Sequence, residues 1–183
     1  MATSGGFRVR DLFGGAMACN VPDSFDDLSK IMVVPDQQEA LTSECGRVSV
    51  IIEVLEYQAV PDAKAAEFFF NDLTQANSAL SSKCLETKIL SPSDLPSLGH
   101  TVGLLKGEFA VQKKAETTPE HVFVRLAVIR IPKHRADILI SMNEKADDTS
   151  GRGGSTEIGA PSFDDTFRVM IETFKINDYG LFA

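Results

Sequence analysis

Between residues 48 and 57, apolar and polar side chains alternate with a period of two. Val48, Val50, Ile52 and Val54 fall on one side, and Ser49, Ile51 and Glu53 on the other. β-branched residues in that pattern predict a strand with one fully buried face, placed centrally in a sheet. Glu53 and Glu56 stand three apart, which leaves a helix as the competing reading. Strand patterning returns at residues 85–90, 101–113, 121–131 and 138–143. In the third of these the final positions are apolar on both faces, as an interior strand requires. The link 131–135 is short enough for a hairpin, so the sheet should be largely antiparallel.

Two segments change period. After Pro61, Asp62 can cap a helix running to about residue 80, with Ala66, Phe69, Phe70, Leu73, Ala76 and Leu80 in one stripe. Ser162 and Asp165 form a capping-box-like pair before a second amphipathic helix that turns Phe163, Phe167, Met170, Ile171 and Phe174 inward. Residues 12–21 fit a strand in which Gly14-Gly15 allows a bulge or a close backbone approach, and residues 23–30 read as a short helical turn. Little in residues 1–10 can pack, which makes them a flexible leader; the glycine-rich, aperiodic stretch 144–161 reads as a flexible loop, and 91–99 as another. What remains, 11–183, is expected to be a single globular domain of the α+β class. It should hold about six strands in a largely antiparallel sheet with helices on both faces, a three-layer α/β/α sandwich.

Composition narrows the chemistry more than the fold. Acidic residues outnumber basic ones 26 to 18, a net charge of −8. That balance argues against a nucleic-acid partner, whose phosphates are bound by Lys and Arg, and suits a basic protein surface better. No apolar run approaches the ~20 residues of a membrane-spanning helix, and residues 1–10 carry no signal-peptide core, so the nucleus and cytoplasm are the expected compartments. Cys19, Cys45 and Cys84 lie far apart without a C-x-x-C, and read as reduced thiols instead of a disulfide framework or zinc site. His100, His121 and His134 are scattered, and a cysteine nucleophile would need one of them beside it in space. No nucleophile elbow, phosphate loop or dinucleotide fingerprint is present, so no catalytic residue, metal or cofactor is expected.

The acidic turn Pro35-Asp36-Gln37-Gln38-Glu39 differs in kind. Proline sets the backbone entering the bend, and Asp36 and Glu39 stand where two carboxylates can point outward from it. The competing reading makes Asp36 the cap of its own turn and Glu39 a solvated side chain.

The words around that turn carry a resemblance. LFGGAMACNVPDSFDDLSKIMVVPDQQEAL at 12–41, SVIIEVLEYQ at 49–58, AAEFFFNDL at 65–73, LAVIRI at 126–131, ADILISMN at 136–143 and DYGLFA at 178–183 span nearly the whole chain. Together they are similar to the Ran guanine nucleotide release factor family, the Mog-type nuclear import factors. The resemblance implies a fold shared with the PsbP photosynthetic subunits. It also implies a monomer that binds the small GTPase Ran, promotes guanine nucleotide release without covalent chemistry, and supports nuclear protein import. In that family the P-D-x-Q-E motif lies in a surface patch implicated in holding Ran, which assigns Pro35, Asp36, Gln38 and Glu39 to Ran binding. Glu53 and Asp72 match family words as secondary candidates, with Lys106 and Lys113 as candidate flanking cations. Ala40-Leu41 and Met17-Ala18-Cys19 depart from the usual pattern. Fold alone would also suit a PsbP-like scaffold subunit of a larger complex.

Overall fold

The structure, a computed structural model, describes residues 6–112, 117–146 and 161–182. Strands β1 (Phe7–Leu12) and β2 (Met17–Pro22) pair antiparallel, and the short β10 (Lys175–Ile176) adds to the other edge of β2. The main sheet has seven strands in the order β3 (Phe25–Asp27), β4 (Gln38–Ser43), β5 (Val48–Glu56), β9 (Ala136–Lys145), β8 (Glu120–Ile131), β7 (Thr101–Val111) and β6 (Ser81–Leu90). Every neighbouring pair in it is antiparallel.

Strand alternation divides the core in two. Val50, Ile52, Ile138, Ile140, Ala127 and Ile129 point from the main sheet toward β2 and helix α2 (Phe163–Thr173), where they meet Met17, Phe167, Met170 and Phe174. Val124, Leu126, Val128, Leu105 and Phe109 point the other way, against Ala66, Phe69 and Phe70 of helix α1 (Asp62–Ala76). The α+β class, the antiparallel sheet and the three layers therefore stand. The main sheet has seven strands where about six were expected, and its outer layer on the α2 side is a helix combined with the three-stranded sheet.

Helix α1 can lie close on β7 because Gly103 and Gly107, which share one face of that strand, present no side chain to it. A Cβ on Gly107 would stand 2.8 Å from the Phe70 ring, closer than packed atoms approach. Gly107→Ala is expected to lower unfolding stability by at least about 1 kcal/mol in urea titration, through displacement of Phe70.

The chain enters α1 through a buried ion pair. Arg130, 2% exposed, sits 3.2 Å from Asp137, which is 0% exposed. Arg130 Nη2 donates to the Gln58 carbonyl at 2.7 Å, Asp137 Oδ2 accepts from the Gln58 amide at 2.9 Å, and the guanidinium lies 4.3 Å from the Tyr57 ring centre. Asp62 does not cap the helix: Pro61 holds the N-cap position, and the Asp62 carboxylate reaches Arg130 at 3.4 Å. The second helix starts as expected, with Asp165 N–H donating to Ser162 Oγ at 3.0 Å.

Other expectations change. Residues 7–10, assigned to an unstructured leader, form the first part of β1 and pair with β2. Residues 12–21 are not one strand, because Phe13, Gly14 and Gly15 all take positive φ and turn the chain between β1 and β2. Helix α1 ends at Ala76, and Leu80 is 62% exposed beyond it. Glu144 and Lys145 belong to β9, with Glu144 buried, so the loop read over 144–161 begins later; residues 147–160 lie outside the described residues, as do Lys113 and residues 1–5. All three cysteines are free; Cys19 is buried, and burial pushes its thiol up to about 12.

Candidate functional site

The bend before β4 is built on a well-tied base. Asp27 caps the short 3-10 turn Leu28–Lys30, accepting from Ser29 N–H at 2.8 Å, and is also bonded by Arg10 of β1. Burial raises the Asp27 carboxyl, but the bonds from Ser29 and Arg10 outweigh it and hold the group below the usual aspartate range. Ile31 and Met32 N–H both donate to the Leu28 carbonyl at 3.0 Å, and Gln38 N–H donates to the Pro35 carbonyl at 2.9 Å. The segment between β3 and β4 is thus tied at both ends.

The two carboxylates of the turn do not point outward together, which corrects the sequence reading. Only Pro35, Asp36 and Gln37 form the exposed bend, while Gln38 and Glu39 are already strand residues of β4. Side chains alternate along a strand, so these two leave the sheet on opposite faces. Glu39 turns to the α2 side and accepts from the Phe13 N–H at 2.6 Å. Phe13 has φ 50°, a left-handed conformation that β-carbons resist. Glu39 is therefore half-buried and helps to hold the β1–β2 turn.

Gln38 turns to the α1 side and donates from Nε2 to Glu53 Oε1 of β5, its cross-strand partner. Burial raises the Glu53 carboxyl, the Gln38 bond opposes that, and the charge of Asp72 on α1 raises it further. Helix α1 rests chiefly on β6, β7 and β8. On this face Gln38 of β4 meets Glu53 of β5, Asp72 of α1 stands near enough for its charge to act on Glu53, and Asp36 lies two residues before Gln38. Chain neighbourhood suggested the pair Asp36 and Glu39; the fold instead joins Glu53 and Asp72 to Gln38. Lys106 is not part of this strip. It projects from β7 on the opposite face, 3.2 Å from Glu86, and lines a 610 Å³ cleft with Arg125, Asp164 and Phe167.

One feature of the bend was not recognised in the sequence. Ile31, Met32 and Val33 are 80%, 57% and 94% exposed, shortly before Pro35. The available signal was a run of four apolar residues, 31–34, that fits neither the strand nor the helix period of any neighbouring element.

Among the described residues, no group of three His, Cys, Asp or Glu side chains is arranged to hold a metal ion, and no helix is long and apolar enough to cross a membrane. The exposed thiol of Cys84 has Glu67 and Lys64 of α1 as its charged neighbours. The bend and the strip beside it present carboxylates, amides and apolar side chains.

Known proteins share this arrangement of elements. The Ran guanine nucleotide release factor of Danio rerio is 31% identical over 182 residues, covering 95% of this chain and 99% of its own. The nuclear import protein mog1 of Schizosaccharomyces pombe is 30% identical over 172 residues, 90% of each chain. The crystal structure of the Saccharomyces cerevisiae Ran-binding protein Mog1p superposes with a TM-score of 0.76 at 24% identity, over 98% of this chain and 100% of that one. A cyanobacterial PsbP from Synechocystis matches at TM-score 0.61 and 8% identity, over 95% and 94% of the chains, a likeness of fold alone. Residues 10–145, which carry the acidic bend, Glu53, Asp72 and the buried pair behind α1, match the family model described as Ran-interacting Mog1 protein. With most of its length and its whole candidate site inside that match, the chain belongs to the Mog1 family.

Proposed function

We propose that this protein binds the small GTPase Ran and promotes release of its guanine nucleotide, in support of nuclear protein import. The reading rests on family membership and on one structural observation: Asp36 is exposed on a bend tied at both ends, two residues before the Gln38 that meets Glu53. A GTPase of this class holds nucleotide through Mg²⁺, a lysine and backbone amides around the phosphates. Carboxylates brought against that region compete for the lysine or weaken the metal, and no bond in the protein need break. Linkage supplies the rest, since a partner that binds the empty GTPase better than the loaded one lowers nucleotide affinity by the same factor. The protein acts as a monomer and a non-catalytic regulator in nucleus and cytoplasm, with neither nucleic acid nor membrane as partner.

The test uses Ran loaded with a fluorescent guanine nucleotide. The protein is expected to form a complex and speed the loss of signal. Asp36→Ala combined with Asp72→Ala, both exposed positions, is expected to reduce that acceleration at least ~10-fold, with the unfolding midpoint unchanged. No complex and no acceleration by the unaltered protein would overturn the proposal. An equally active double variant would remove the strip from it.

A further inference from the structure

Ile31, Met32 and Val33 are three consecutive large apolar side chains, all more than half exposed, on a segment whose backbone is bonded at both ends. Among the described residues, none of the three belongs to either core cluster. Soluble surfaces tolerate single exposed hydrophobes, but a contiguous exposed group marks a contact with another molecule. The tied ends matter as well, because a segment restrained at both ends before contact loses less conformational entropy on binding than a free one.

We propose that residues 31–33 form an apolar anchor that enters a pocket on the same GTPase whose basic groups meet Asp36. This inference rests on the functional reading above. Two observations select that occupant. Val33 lies three residues before Asp36, a reach of ~10 Å even when extended, so the anchor and the carboxylate fall within one interface of ordinary size. On the N-terminal side of the anchor Lys30 pairs with Asp26 at 3.4 Å, so Asp36, three residues after Val33, is the net charge at its border. An apolar group with that border fits an apolar pocket with a cationic rim. It does not fit an anionic lipid surface, and a second copy of a chain carrying −8 would bring like charges together. The division of labour follows from physics: Asp36 governs attraction and its salt dependence, and the anchor governs how long the complex lasts.

The experiment measures capture of Ran carrying a fluorescent nucleotide by the full chain and by Ile31→Ser/Met32→Ser/Val33→Ser. The expected result is capture ~10- to 100-fold weaker, mainly through faster dissociation, with the unfolding midpoint retained and the dependence on salt unaltered. Ile31→Leu/Met32→Leu/Val33→Leu should retain capture, and Asp36→Ala should flatten the salt dependence instead. Capture by the serine variant as tight as by the parent overturns the anchor while leaving the function standing. Absence of capture by the parent overturns the functional reading and the anchor with it. A parent dimer that the serine variant dissolves, read by sedimentation, overturns the assignment to the GTPase by making a second copy the occupant.

Discussion

Replacing Asp137 by alanine is expected to cost about 3–5 kcal/mol of unfolding stability, because it breaks a buried ion pair and leaves one charge behind. The carboxylate is 0% exposed and lies 3.2 Å from the guanidinium of Arg130, itself 2% exposed. Truncation strands a buried cation whose other ion-pair partner, Asp62, is half in solvent at 3.4 Å. It also leaves the Gln58 amide without the oxygen it now meets at 2.9 Å. The chain between β5 and α1 would loosen, and with it the placement of Asp72. Urea titration checks the magnitude. Replacing both partners together, Arg130→Met with Asp137→Leu, should cost much less than either single loss, because no unpaired charge remains. Equal losses in the single and double variants would show that side-chain volume, not the charge, matters at this position.

Glu39→Ala is expected to lower stability by about 1.5–3 kcal/mol, the usual value of a hydrogen bond to a charged group, whereas Asp36→Ala should stay within about 0.5 kcal/mol. Glu39 accepts from the Phe13 amide at 2.6 Å, across a turn in which three successive residues take positive φ. Without the carboxylate, the Phe13 amide loses its partner and the left-handed turn its brace. Glu39→Gln, which retains an acceptor, should recover much of the loss. Thermal unfolding of the three variants provides the check, and a Glu39→Ala protein as stable as the parent would return Glu39 to the free surface acids. The consequence for function is direct. A weakened Ran interaction in a Glu39 variant can arise from a displaced β1–β2 turn, so Asp36 and Asp72 are the cleaner probes of the surface.

Much of the architecture was legible as pattern. The period of two over residues 48–57 marked β5, with Val50 and Ile52 at 0% exposure, and Ser162 with Asp165 marked the start of α2. The short link after Ile131 closed the β8–β9 hairpin. Such features are local, since a strand or a cap is specified by residues within a few positions of each other. Residues 7–10 escape local pattern for the complementary reason. Arg8 and Val9 are exposed, and nothing local reveals that residues 7–10 are held by hydrogen bonds to β2.

The candidate site divides along the same line. The order of residues was enough to mark the acidic bend, to suggest the family and to draw attention to Glu53 and Asp72. Which of those groups share a surface depended on strand register: a shift of one residue along β4 sends Gln38 to Glu53 and Glu39 to Phe13, on opposite faces of one sheet. The exposure of Ile31, Met32 and Val33, the burial of Arg130 and the clearance that Gly107 leaves for Phe70 likewise emerge only when distant segments pack. Periodicity and local bonding act between near neighbours and are written in the chain, whereas solvent access and cross-strand partnership arise between residues tens of positions apart.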